Sequence, residues 1–202
     1  MSIFLNRKSV RVYDENFKIP QDELNEILNI TLRAPSSGNL QPTKFIVVKS
    51  SEAKDKIRPH MYGNLAQLNS SSAFIILTTD LNKYESGIKL FNKAEELGLV
   101  PSAVAERQRK SFKERNESFD LTTVTNTNYL DAGLIAMQLM LVAKDFGYDT
   151  CAIGGFNKET ILKALNIEEP NTKPVLIVSI GKAKAPGFET YRRPLEDSVK
   201  YF

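Results

Sequence analysis

The sequence predicts a single α+β domain over residues 1–202, with a central sheet covered by helices on both faces. Three observations predict it. The strand-like runs are few, and each is continuously apolar rather than alternating. Long segments of helical character separate them. One of those segments, from Tyr129 to Val142, is apolar nearly all round, with only Asp131 and Gln138 interrupting, the pattern of a helix buried on every side. No internal repeat, low-complexity stretch or linker divides the 202 residues, a length that suits one domain with a real core.

In chain order, "QDELNEILNITL" (21–32) follows Pro20 and carries Leu24, Ile27, Leu28 and Thr31 at helical spacing, with acids in its first turn. It must end before Pro35. "FIVVK" (45–49) reads as a short buried strand, "SEAKDKIRPHM" (51–61) as a short helix, and "SSSAFIILTTD" (70–80) as a second buried strand entered through a serine loop. Residues 83–98 and 101–118 are charged and helical, with Pro101 opening the second. The apolar helix falls within 125–150, with Gly147 as its C-cap and room for a second subunit against it. "CAIGGF" is a strand and turn, and "NKETILKALNI" a helix capped by Asn157. "KPVLIVSIGKA" (173–183) is the strongest strand, and the tail from Pro186 is irregular, with a short helix or strand at its end.

Composition removes several function classes. The 27 basic and 24 acidic residues leave a net charge of +3, too small to argue for nucleic acid without a focused patch. "ERQRKSFKER" (106–115) mixes its cations with Glu106 and Glu114 and reads as a solvated helix face. A single cysteine, Cys151, allows no intrachain disulfide and reads as an inert core thiol; with one histidine, His60, a Cys/His zinc site cannot be assembled. The N-terminus lacks the pattern of a signal peptide, and no apolar run approaches the ~20 residues of a membrane span. A reduced, cytoplasmic protein is the expectation.

Four stretches are richer in recognition chemistry than their elements need. "NRKSVRVYD" places Arg7, Lys8, Ser9 and Arg11 within five residues: either a solvated basic terminus or an anion site, since Arg and Lys suit phosphate by charge and Arg adds a bidentate fork. "APSSGNLQPTKF" (34–45) sets Ser36, Ser37, Asn39 and Gln41 between Pro35 and Pro42. That is turn chemistry, or a stiff binding loop that loses little entropy on capture. "AIGGF" offers Gly154 and Gly155, a plain turn or a backbone that can approach a flat ligand closely; it is neither a dinucleotide fingerprint nor a phosphate-binding P-loop. "YRRPLED" pairs Arg192 and Arg193 in a tail, exposed or clamping a phosphate.

Together and in this order, from Arg7 to Pro194, these stretches resemble the FMN-dependent NAD(P)H nitroreductase family. The resemblance implies a nitroreductase-like α+β fold with a central mixed sheet flanked by helices. It also implies an intertwined homodimer with two FMN sites at the interface. It assigns Arg7, Ser9 and Arg192, with Lys8 helping, to the phosphate, Arg193 to the cofactor site, and Arg11 to the N1–C2=O edge of the isoalloxazine, where a cation stabilises the anionic reduced flavin. Pro35, Ser36, Ser37 and Asn39 match the loop that reaches the other subunit's flavin. Asn64 and Gln67 match contacts to the pyrimidine edge, and Gly154 and Gly155 a turn facing flavin N5 or O4.

The chain departs from the family in four places. Thr43 stands where many members carry tryptophan, Gln67 where others carry lysine, Gly154 where some carry an acid, and Thr190 in place of a lysine before the tail arginines. The implied activity is ping-pong hydride transfer from NADH or NADPH to a small-molecule electron acceptor such as a nitroaromatic or quinone, with no catalytic side chain and no metal. Alternatives are a member dedicated to one substrate, such as an enal, a pteridine or a halogenated phenol, with the segment 83–120 as its lid. Outside enzymes stand a flavin-binding redox sensor without turnover and a basic anion-binding module with no cofactor.

Overall fold

The computed structural model describes residues 2–202. Its elements are α1 (Ile3–Asn6), α2 (Gln21–Thr31), β1 (Thr43–Val48), α3 (Ser51–Ile57), α4 (Leu65–Ser70), β2 (Ala73–Asp80), α5 (Lys83–Glu96), α6 (Ser102–Glu117), α7 (Leu121–Asp145), β3 (Asp149–Ile153), α8 (Ile161–Ala164) and β4 (Thr172–Gly181). Single 3₁₀ turns sit at Ser37–Asn39, Arg58–His60 and Leu195–Asp197. The four strands form one sheet in the order β1-β2-β4-β3.

Every ladder in that sheet is antiparallel, which corrects the mixed sheet implied by the family resemblance. A continuous apolar run reports burial on both faces and says nothing of direction. Among the described residues the isolated bridge of Ser9 to Thr150 is the one parallel pairing. The alternation that each strand hides in its apolar run appears once its two faces are separated. Ile75, Leu77, Val178 and Ile180 pack on Leu24 and Ile27 of α2 and on Ile135 and Leu139 of α7. Phe74, Ile76 and Ile177 pack on the opposite side with Ile57, Leu68 and Ile161. A third cluster, Leu40, Leu81, Tyr84, Phe91, Phe112 and Val124, joins α5 and α6 to the loop before β1.

The central helix starts four residues before the segment 125–150 in which the sequence places it, because Asp120 caps it by accepting from the N–H groups of Thr122 and Thr123 at 3.2 and 2.9 Å. It ends in a Schellman motif: Gly147 has φ 75°, its N–H donates to the Lys144 carbonyl, and the Tyr148 N–H donates to that of Ala143. Burial on all sides is not met within one chain. One face enters the core, while Leu130, Leu134 and Met137, at i, i+4 and i+7, remain 65, 43 and 40% exposed.

One helix is unforeseen and one reading needs correction. Residues 65–70 form the helix α4, whose last residue, Ser70, opens the serine loop before β2, and Asn157 precedes the α8 N-cap, Thr160, accepting in an Asx turn from the N–H groups of Glu159 and Thr160. No helix among the described residues is long and apolar enough to cross a membrane.

Candidate functional site

The N-terminal cationic segment is fixed by its apolar residues. Val10 donates its N–H to the Thr150 carbonyl of β3 at 3.0 Å. Tyr13 is fully buried, its hydroxyl 2.8 Å from Ser179 Oγ and its N–H donating to Ser70 Oγ at the end of α4. Burial raises the Tyr13 phenol well above its ordinary pKa, so it is a neutral anchor. Between and before these anchors Arg7, Lys8 and Ser9 are half-buried and Arg11 is exposed along the β3 edge.

The C-terminal tail folds back onto the same segment. Glu189 is ion-paired with Lys8, the Arg11 guanidinium lies 5.6 Å from the Phe188 ring centroid, and a Cβ on Gly187 would stand 2.7 Å from Lys8 Cβ and 2.9 Å from the Ser9 carbonyl oxygen. Close approach therefore requires glycine at 187. Arg192 follows three residues after Glu189. Both Arg192 and Arg193 are exposed, and Arg192 donates to the adjacent Tyr191 carbonyl rather than joining the other cations.

At the end of β3 the Gly155 carbonyl accepts from the Tyr62 N–H at 2.9 Å. A Cβ on Gly155 would meet Asn64 Nδ2 and the Tyr62 carbonyl oxygen at 3.3 Å, whereas one on Gly154 would meet nothing within 4 Å. Asn64 adopts φ 59° and accepts from Gln67 Nε2 at 3.2 Å; Gln67 is 3% exposed. α4 ties these groups to the cationic segment, since it carries Gln67 and ends at the Ser70 that holds Tyr13. Arg7, Lys8, Ser9, Arg11, Asn64, Gln67, Gly154 and Gly155 thus share the β3 edge of the sheet.

Pro35, Ser36, Ser37 and Asn39 do not join them. Their loop opens β1, at the other edge, with β2 and β4 between. Ser37 donates through both its N–H and its hydroxyl to Asp131 Oδ1 at 2.9 Å, and Gln41 N–H donates to Ser36 Oγ at 3.0 Å. A cavity of about 490 Å³ separates this loop from the end of α5 and is lined by Pro35, Asn39, Leu90, Phe91 and Leu99. Another, of about 750 Å³, lies beside α8 between Tyr129, Lys158, Ile167 and Lys173 and touches none of the predicted residues.

Sequence reasoning treated Asp131 as an interruption of an apolar helix; it is 2% exposed and holds the loop. The signal was present as a lone acid on a helix with no polar face, because a buried carboxylate must find donors. Phe188 and Glu189 were missed for lack of any local pattern.

The Nitroreductase family model matches residues 5–182. YdgI of Bacillus subtilis (strain 168), named as an NAD(P)H nitroreductase, is 39% identical over 201 residues, covering 100% of this chain and 96% of its own. A CLA biosynthesis enone reductase of Lactiplantibacillus plantarum is 31% identical over 191 residues, covering 94% of this chain and 88% of its own. Among solved structures, a nitroreductase from Exiguobacterium sibiricum 255-15 in complex with FMN superimposes with a TM-score of 0.95 at 36% identity, covering 99% of this chain and 95% of its own. The chain belongs to the nitroreductase family.

Proposed function

We propose that the protein is a cytoplasmic, homodimeric FMN oxidoreductase that passes hydride from NADH or NADPH to small electron-poor acceptors such as nitroaromatics and quinones, by two half-reactions at one site. The observation that carries this reading is the β3 edge, where three cations, a buried amide and a glycine pair line up in a chain that matches an FMN complex over 99% of its length. The residues present fit the group. Arg7, Lys8 and Ser9 suit a phosphate by charge and hydrogen bonding, and the exposed Arg192 and Arg193 of the tail are free, among the described residues, of ion pairs that would keep them from it. Gln67, oriented by Asn64, and Arg11 suit the polar edge of a flavin. Gly155 admits no side chain without displacing Asn64 or Tyr62, and the open side of Gly154 leaves backbone free to meet a flat ring.

Bound FMN would supply the hydride chemistry, so no side chain needs to act as a nucleophile. The loop of Pro35, Ser36, Ser37 and Asn39 would come from the second copy, because within one chain it opens the opposite edge of the sheet. The exposed stripe of Leu130, Leu134 and Met137 supports that dimer, as does a tail with Tyr191, Leu195, Tyr201 and Phe202 exposed.

A second reading, a reductase dedicated to one conjugated carbonyl substrate, is favoured by the 31% identity to the enone reductase. An anaerobic titration with NADH and then NADPH, followed by an acceptor panel of a nitroaromatic, a quinone and an enone, separates the readings. Bleaching of a yellow protein and reoxidation by the first two supports the main one, and reoxidation by the enone alone supports the second. Protein that stays colourless after FMN addition and desalting refutes both. Yellow protein that neither nucleotide bleaches is a flavin sensor rather than an enzyme.

A further inference from the structure

The loop that opens β1 is held in an unfavourable backbone conformation by groups outside the β3 edge. Gly38, Asn39 and Gln41 have φ of 63°, 54° and 49°. Two of them are not glycine, and such residues keep left-handed backbone only where their surroundings impose it. Asp131 Oδ1 accepts from both the N–H and the hydroxyl of Ser37, and Ser36 Oγ accepts from Gln41 N–H. Leu40, 3% exposed, anchors the loop from the other side in the cluster with Phe112.

The second carboxylate oxygen, Asp131 Oδ2, is buried with no hydrogen-bond partner, and so is the hydroxyl oxygen of Thr43. Both residues line one cavity of about 20 Å³, together with Ser36, Gln41, Pro42 and Ile135. A single water needs about 10–15 Å³ and at least two polar partners. The pKa of Lys83, 1% exposed, is lowered, chiefly by burial, with the Asp131 carboxylate opposing that shift and Arg115 adding to it. We propose that Asp131 is a positioning residue that clamps the Ser36–Gln41 loop through Ser37, and that Asp131 Oδ2 and Thr43 Oγ1 share one bound water in the cavity behind it. The function of the clamp rests on the flavin reading above, in which this loop completes the site of the second copy. A loop already fixed loses less entropy when the ligand is bound.

The test compares wild type, Asp131→Ala and Asp131→Asn by amide hydrogen exchange of residues 37–41 in FMN-free protein, and by FMN dissociation constant. Asp131→Ala should speed exchange about tenfold and weaken FMN about tenfold, the loss of a hydrogen-bonded buried carboxylate. Asp131→Asn keeps an acceptor for Ser37 and should stay within about threefold of wild type on both. Should Asp131→Ala not fold, Ser37→Ala deletes the hydroxyl donor alone and should show about a threefold effect. A high-resolution crystal structure should show one ordered water between Asp131 and Thr43, absent in Thr43→Val. Wild-type exchange in Asp131→Ala overturns the clamp, and so does faster exchange with unchanged FMN affinity, which would leave Asp131 a purely structural role. A crystal structure with no such water overturns the water site. Wild-type protein that retains no FMN overturns the flavin reading instead, and the exchange measurement then decides the clamp alone.

Discussion

Arg11 separates stability from function cleanly. It is exposed, and its one described contact is the Phe188 ring at 5.6 Å, a cation–π arrangement that contributes about 0.5–1 kcal/mol at such a site. Arg11→Ala should therefore leave the thermal midpoint almost unchanged. If Arg11 faces the flavin, the same substitution should weaken FMN about tenfold, as loss of a charge-assisted contact does, or lower the flavin reduction potential. Fluorescence titration and an anaerobic potential measurement check this, and wild-type values for both remove Arg11 from the site. Gly155 is the opposite kind of residue. Its lack of a side chain is set by Asn64 and Tyr62 at 3.3 Å, neighbours within the protein itself, so its requirement was invisible in the string "AIGGF" until those neighbours were placed.

At the scale of elements, α7 decides most. Its 25 residues present one face to the sheet and another, Leu130–Leu134–Met137, to the outside. Because Leu134 is 43% exposed in the single chain, Leu134→Asp should cost the folded monomer about 1 kcal/mol or less. In a homodimer packed on this stripe the same change buries a charge, a strongly unfavourable step. The expected outcome by light scattering is wild type at twice the chain mass and Leu134→Asp at the chain mass; equal masses would show that this face is not the interface. Helix and strand identity were mostly legible, since α2, α5, α6 and α7 are long enough for periodicity and β1, β2 and β4 each contain an apolar run. α4 was not, because six residues of "LAQLNS" complete fewer than two turns and leave no period to read.

At the scale of the molecule, the two groups of predicted residues lie on opposite edges of one sheet, and the proposed function joins them across two chains. That makes a complementation experiment decisive. A chain carrying Arg7→Ala and Arg11→Ala, mixed by refolding with a chain carrying Asn39→Ala and Ser37→Ala, yields hybrids in which one site has both defects and the other has none. FMN retained by the hybrid should return to about half that of wild type, one good site of two, while each parent alone binds weakly. Hybrids no better than their parents would place both halves in the same chain's site.

The sequence by itself determined the α+β class, the approximate positions of the strands and the presence of one long apolar helix, because local periodicity, capping residues and turn chemistry are written in neighbouring positions. "RKSVR", "PSSGN", "GG" and "RRP" could be picked out for the same reason. Tertiary structure alone decided that the sheet is antiparallel, since an apolar run records burial and not direction. It alone seated Phe188 and Glu189 on Arg11 and Lys8 across about 180 residues of chain. It also turned Asp131 from a break in a hydrophobic pattern into the acceptor that holds Ser37, because a buried charge is defined by the donors around it and those come from 94 residues away.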